Sequence, residues 1–511
     1  MDKTKLTLGR KMDQIVSATV EIAQGKLQGV VKDGVLRFNG IPYAKPPVGA
    51  LRWQPPQAAD GWAGVRDASK FGNICPQVAS AAGAVLGGTP GTRSEDCLYL
   101  NIQTPGCDGA KRAVMVWIHG GAFVTGAGSV GTYNGKYLVP RGDIVLVTIN
   151  YRLGAFGFLN LRDASGGKLP GTGAEGLADQ VMALRWVKDN IAQFGGDPDN
   201  VTIFGESAGG MSVGALLGMP SAKGLFHKAI PQSGASDIGT PREATAKTGK
   251  LLLDKLNGVD PREAPWEAIL EIQKAIIEAP RESGGMPFGP TADGAILPGR
   301  AIDAVAAGSA AGVPVMTGTT RDEWNLFTIA APNIKSLDEA GLRRLTTKMV
   351  GEAHVDAVLS AYTEGTPFER WNAINTDHTF FVPATRLLDA QEKHAPVYAY
   401  RFDWPSPMKG LGSCHALELG FMFGTMRLKG AAPFFGAGEE AEAVSDAMMD
   451  AWIAFAKSGN PSNDTGGAWL RYDSRKRATM IFGDGAPKMT SAPNEARRKA
   501  WSSVAAAKIG A

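Results

Sequence analysis

The sequence predicts an α/β protein built on a large, mostly parallel sheet with helices on both faces. Three observations carry that prediction. Short apolar, β-branched runs recur along the chain, and segments with apolar residues at three- and four-residue spacing separate several of them. The composition, 44% hydrophobic and 20% charged over 511 residues, suits a large buried core. Near-continuous apolar strands alternating with helices belong to sheets covered on both faces. Ligand sites in such sheets sit at the carboxyl ends of the strands, so the residues just after each run matter most.

In chain order the strand candidates are RAVMVWIHG (112–120), DIVLVTINYR (143–152), NVTIFGES (200–207), KAIPQSG (228–234), GVPVMTGTT (312–320) and APVYAYRFDW (395–404). The clearest helical pattern is GLADQVMALRWVKDNIAQFG, residues 176–195. No repeat or linker divides the chain, which reads as one domain over residues 1–511 with a flexible or peripheral extension at 1–18. The small residues of PQVASAAGAVLGGTPGTRSED, 76–96, read as a long surface loop.

A formal net charge of +3 and only short basic clusters (Arg475, Lys476 and Arg477; Arg497, Arg498 and Lys499) argue against nucleic-acid binding. The apolar runs are far too short to span a bilayer. The N-terminus has no continuous hydrophobic stretch before a small-residue cleavage site, which favours a cytoplasmic protein unless a leader has been removed. Four cysteines do not make a disulfide framework, and six histidines without metal-ligand spacing predict no metal and no cofactor.

Residues 205–214, GESAGGMSVG, contain Gly-x-Ser-x-Gly twice, around Ser207 and Ser212. With 65 glycines in the chain, chance alone yields the pattern roughly 0.4 times, so context must decide. VTIF (201–204) reads as a buried strand and MSVGALLGM as a helix, which puts Ser207 on the turn between them. Gly205, Ala208 and Gly209 are small enough for a sharp elbow that presents Oγ at the sheet edge. Ser212 falls about one and a half helical turns further on and reads as helix packing.

A serine needs a base, an acid to orient the base, and donors for an oxyanion. The strand RAVMVWIHG ends in His119-Gly120-Gly121-Ala122-Phe123, a glycine-rich bend that leaves backbone N–H groups unpaired. Asp322 and Glu323 follow the strand 312–320, either of them a candidate acid. Elimination selects the histidine. His119 and His227 precede any later acid, His354 and His394 precede the last long strand, and His378 opens a helical stretch. His415 alone follows that strand, in a glycine-containing loop.

These residues carry a family. FNGIPYAKPPVGALRW (38–53), SEDCLYLNI (94–102), VMVWIHGGAF (114–123), NYRLGAFGFL (150–159), the segment 176–210 and GTTRDEWNLF (318–327) together resemble the type-B carboxylesterases, the cholinesterase-like and para-nitrobenzyl esterase-like branch of the α/β-hydrolase fold. The resemblance runs from about residue 19 to about 505. It implies that loops and helices are inserted over an active-site gorge. It also implies Ser207 as nucleophile, Glu323 as acid, His415 as base, and Gly121, Ala122 and Ala208 as oxyanion donors. Glu206 and Ser233 would support the histidine or the elbow, and Arg52–Glu95 and Arg152–Asp179 would pair. Cys75 and Cys97 match a pair that is disulfide-bonded in secreted relatives, where closing such a loop contributes about 3 kcal/mol.

Two departures stand out: Ala122 where the family often has a third glycine, and Trp324 where many members have glycine. Phe123, Phe288, Trp324, Phe327, Phe421 and Phe423 lie near these motifs and could line the gorge or pack in the core. The function implied is hydrolysis of small-molecule carboxylic esters by a monomer or homodimer. The alternatives are a non-catalytic binding protein of the same fold, or the same machinery acting on amides, lactones or carbamates.

Overall fold

The computed structural model describes residues 17–78, 88, 91–279, 286–329 and 331–504. Of the expected extension, residues 1–16 lie outside the described residues, while Ser17 and Ala18 open the first strand and belong to the sheet. Most of the loop expected at 76–96 also lies outside them.

Among the described residues, strands β1 (Ser17–Ile22), β2 (Gly25–Lys32), β3 (Val35–Pro42), β4 (Val65–Asp67), β5 (Tyr99–Thr104), β6 (Arg112–Ile118), β7 (Val145–Ile149), β8 (Gly196–Glu206) and β9 (Lys228–Gln232) fill the first half of the chain. The short β10 (Thr240–Pro241) and β11 (Thr291–Ala292) pair only with each other. Strands β12 (Val315–Thr320), β13 (Val397–Phe402), β14 (Ala478–Phe482) and β15 (Lys488–Ser491) complete the main sheet. Its order is β1-β2-β3-β5-β7-β6-β8-β9-β12-β13-β14-β15, with β4 beside β2. From β7 to β14 every pairing is parallel.

The central strands are apolar throughout because both faces are covered. On β6, Val114, Val116 and Ile118 point into one core, and Met115 and Trp117 into the other. Helices α1 (Glu175–Asn190) and α2 (Ala208–Gly218) fill the first core with Leu184, Val187, Val213 and Leu217. Helix α3 (Arg242–Lys255) and helix α4 (Trp266–Glu278) pack together beside it. The long helix α7 (Glu439–Ser458) closes the second with Met448, Trp452 and Phe455. Helices α5 (Pro367–Thr376) and α6 (Val382–Gln391) are joined by one π-helical turn, Asp377–Phe381.

The two implied ion pairs form. Arg52 meets Glu95 through two contacts of 2.6 Å, and the fully buried Arg152 grips Asp179 at 2.7 and 2.8 Å. Breaking a buried pair of this kind typically costs about 3–5 kcal/mol. Cys75 and Cys97 are both buried free thiols. The Leu153 N–H donates to Cys75 Sγ at 3.2 Å, and contact with Cys75, together with burial, holds the Cys97 thiol well above its ordinary pKa.

Candidate functional site

The end of β8 and the segments that follow the parallel strands β6, β12 and β13 line one cavity of about 390 Å³. Strand β8 runs two residues further than the sequence predicts, because its pairing with β9 continues through Glu206 and Gln232. Helix α2 begins at Ala208, three residues before the predicted MSVGALLGM. The whole reversal is therefore compressed into Ser207, which takes φ 57° and ψ −125°. For a residue with a Cβ this conformation is strained, typically by about 1–3 kcal/mol. It is held by the Ser207 N–H donating to Gln232 O at 2.9 Å and by the Met211 N–H donating back to Ser207 O. Gly209 is required by the same crossing: a Cβ there would lie 2.0 Å from Ile118 O. The Ser207 side chain is partly exposed in the cavity. Ser212 is buried inside α2, where its Oγ accepts from Gln180 Nε2 at 3.0 Å.

The bend after β6 has three consecutive positive φ values, at Gly121 (115°), Ala122 (51°) and Phe123 (60°). It is tied at several points. Val124 and Thr125 N–H both donate to Gly121 O, and Gly154 N–H donates to Phe123 O. Gln77 Oε1 accepts from Gly126 N and Thr125 Oγ1, each at 2.8 Å. His119 lies beneath, stacked on Tyr151 at 4.5 Å, with Nδ1 donating to Gly120 O at 2.9 Å. Burial pulls the His119 pKa down to about 4, so the ring is neutral and serves as a fixed donor. Gly121 and Ala122 N–H donate to no described residue, and Ala208, as the first residue of α2, has no intrahelical acceptor. Gly121, Ala122 and Ser207 all line the cavity.

The acid and the histidine meet on the other side. His415 Nδ1 lies 2.6 Å from Glu323 Oε2, and Glu323 is fully buried. The other oxygen, Oε1, accepts from Ser233 Oγ at 2.6 Å and from Thr320 N at 2.8 Å. Ser233 thus supports the acid. Glu206 lies on the far side of the ring, with Oε1 3.0 Å from His415 Nε2 but accepting no aligned hydrogen bond. Burial disfavours an imidazolium, yet the two carboxylates outweigh it and hold His415 well above the ordinary histidine pKa. Burial also raises Glu206, and it pushes the nearby Glu418 well above the usual carboxyl range.

Several contributors escape sequence reasoning. Asp322 is not the histidine's partner: its Oδ2 accepts from Ser413 N at 2.9 Å, and its own N–H donates to Ser413 O, pinning the histidine loop to the acid loop. Phe380, from the π-helical turn, lies 4.8 Å from the His415 ring, beside the expected Phe327 at 5.0 Å. The adjacent Asp322 and Ser413 backbones, and Gln77 beside Gly126, carry no local signal.

Of the aromatic residues that could line the gorge, Phe327 does. Phe123 packs edge-on against Phe158, and Phe288 sits in the same core. Phe421 and Phe423 fill the second core, against Phe402 and Trp117. Trp324 leans on Phe327 and Phe380, and its backbone N–H donates to Thr376 Oγ1. The remaining wall combines aliphatic residues, Val124, Val130 and Leu326 among them, with Tyr133, Gln273, Lys274 and Glu278. No group of side chains suited to a metal ion occurs among the described residues, and no described helix is long and apolar enough to cross a membrane.

Comparison with known proteins places this geometry in a family. The model of the carboxylesterase family matches residues 16–501. The chain is 40% identical to the para-nitrobenzyl esterase of Bacillus subtilis (strain 168) over 474 residues, covering 90% of this chain and 93% of that one. It is 36% identical to the phenmedipham hydrolase of Pseudarthrobacter oxydans over 478 residues, 90% and 94% of the two chains. The crystal structure of a carboxylesterase from Geobacillus stearothermophilus superposes with a TM-score of 0.85 at 40% identity, covering 94% of this chain and 99% of that one. The fold is that of the α/β-hydrolases. With a family match along nearly its whole length, the chain belongs to the carboxylesterase family and is a hydrolase acting on carboxylic esters.

Proposed function

We propose that the protein is a serine carboxylesterase that works through an acyl-enzyme formed on Ser207. One observation carries the reading. Glu323 holds His415 by Nδ1, so the neutral ring carries its proton there and turns Nε2, as an acceptor, to the cavity that Ser207 also lines. Ser207 Oγ attacks the ester carbonyl as its proton passes to Nε2. The carbonyl oxygen takes up the negative charge facing the N–H groups of Gly121, Ala122 and Ala208, each such donor worth typically about 2.7–4 kcal/mol of barrier. His415 then returns the proton to the leaving alcohol as the C–O bond breaks. Water repeats the sequence on the acyl-enzyme, releasing the acid and Ser207. The test is labelling with a radioactive organophosphate. One equivalent should bind per chain and map to Ser207; labelling at another residue, or none, defeats the proposal.

The pH dependence follows from the two carboxylates. The base must be neutral, and Glu206 and Glu323 raise the pKa at which it becomes so. Activity is therefore lost, as pH falls, through a pKa above the ordinary value of about 6.5. Glu206→Gln removes one of the negative charges, so the rising limb of log kcat/KM against pH should move to lower pH. A limb unmoved in this variant would mean that Glu206 does not act on the titrating group.

A further inference from the structure

Of the polar side chains in the cavity wall that this chemistry leaves over, Thr125, Tyr133, Gln273, Lys274 and Glu278, the most deeply buried is Gln273. Gln273, on α4, is 1% exposed and lines the cavity beside Ile277. Its orientation is fixed, because Oε1 accepts the Ala155 N–H at 2.7 Å and an amide turned the other way would oppose two donors. The loop is shaped around it: Gly154 takes φ +51°, and a Cβ there would lie 2.0 Å from Gln273 Oε1. With Oε1 used, the Nε2 amide group has no hydrogen-bond partner among the described residues. The same wall carries the apolar Val124, Leu326 and Phe327, together with the exposed Lys274 and Glu278 of α4.

Gln273 Nε2 is not sealed off from the cavity, so a ligand packed over it must offer an acceptor or leave a donor unpaired at a cost. In a ligand cavity such a donor serves recognition: a few placed polar groups in an apolar wall fix which ligand binds and how. Gln273 is not part of the proton-transfer machinery. Its bond to Ala155 also means that it cannot swing away to find another partner without orphaning that N–H. It is a preorganised donor.

We infer that Gln273 Nε2 is a specificity determinant, donating a hydrogen bond to an acceptor on one arm of the ester, so that the preferred substrates are apolar esters carrying a carbonyl-type oxygen remote from the reacting bond. The inference rests on the assignment of this cavity as the esterase site.

The experiment uses matched pairs of esters in which one methylene, remote from the ester, is replaced by a ketone. The ketone is moved along the acyl arm in one series and along the alcohol arm in the other. Rates are corrected by the alkaline hydrolysis rate of each ester. The wild-type protein should favour the ketone member of at least one pair by about tenfold in kcat/KM, the range of a single net hydrogen bond. Gln273→Leu should erase that preference. Gln273→Glu keeps an acceptor for the Ala155 N–H but presents a carboxylate oxygen where the donor was, so it should reverse the preference. It also decides the matter if Gln273→Leu does not fold. No preference in the wild-type protein, or one that survives in Gln273→Glu, overturns the inference. Turnover of the all-methylene esters by Ser207→Ala would instead overturn the esterase mechanism.

Discussion

Ser207→Ala lowers kcat/KM for a small activated ester by about 10⁵- to 10⁶-fold, equivalent to roughly 7–8 kcal/mol of barrier. The magnitude follows from the proposed division of labour. His415, Glu323 and Ser207 act as one unit, so removing the attacking oxygen leaves the other two with no proton to move. What survives is binding and the oxyanion donors, which in comparable enzymes retain about 10³- to 10⁴-fold over water. The substitution should leave the fold intact. Ser207 side-chain oxygen makes no hydrogen bond to a described residue, and the elbow is held by backbone bonds to Gln232 and Met211 that alanine keeps. Alanine must still adopt φ 57°. The measurement is steady-state turnover beside a thermal melt. An unchanged melt with only a tenfold loss of rate would mean that Ser207 is not the attacking group.

The features legible in the sequence are those that a contiguous segment encodes. The apolar run VTIF followed at once by Gly-Glu-Ser spells a strand-to-helix turn locally, and β6 followed by His-Gly-Gly spells the bend. Chain order then narrows the histidine to His415. Register between distant segments is another matter. Gln77 reaches Gly126 across 49 residues, and Asp322 reaches Ser413 across 91. Neither position differs locally from any other polar residue beside a turn. The aromatic residues fail for a second reason. Apolar side chains beside a site can face the cavity or the core, and hydrophobicity favours both. Phe123 belongs to the bend after β6, yet its ring packs inward against Phe158. The oxygen atoms of Glu323 mark the same limit. Sequence reasoning names the residue, but which oxygen meets which donor follows only from where Thr320 and Ser233 sit.

That assignment of oxygens makes Glu323→Gln the more informative of the two large effects. Glu323 Oε1 already accepts two hydrogen bonds, from Ser233 Oγ and Thr320 N. In the glutamine variant the amide oxygen must stay there, because turning the NH₂ toward the Thr320 N–H would set donor against donor. The NH₂ group then takes the place of Oε2, 2.6 Å from His415 Nδ1 in the parent. A donor at that position requires Nδ1 to accept, which moves the ring proton to Nε2. The proton now sits on the nitrogen that must receive one from Ser207, beside the Glu206 carboxylate that stabilises it there. Geometry is preserved and the tautomer is wrong. The expected loss is about 10⁴-fold in kcat, the size seen when a triad carboxylate becomes an amide. Two further readouts separate this from simple disorder. Removing one carboxylate lowers the His415 pKa, so the residual activity should titrate at lower pH than in the parent. Glu323→Asp keeps the carboxylate and so the tautomer, and should recover part of the loss even though its shorter side chain reaches less far. If Glu323→Gln and Glu323→Asp are equally impaired, with the rising limb unmoved, the acid acts by packing and the tautomer argument falls.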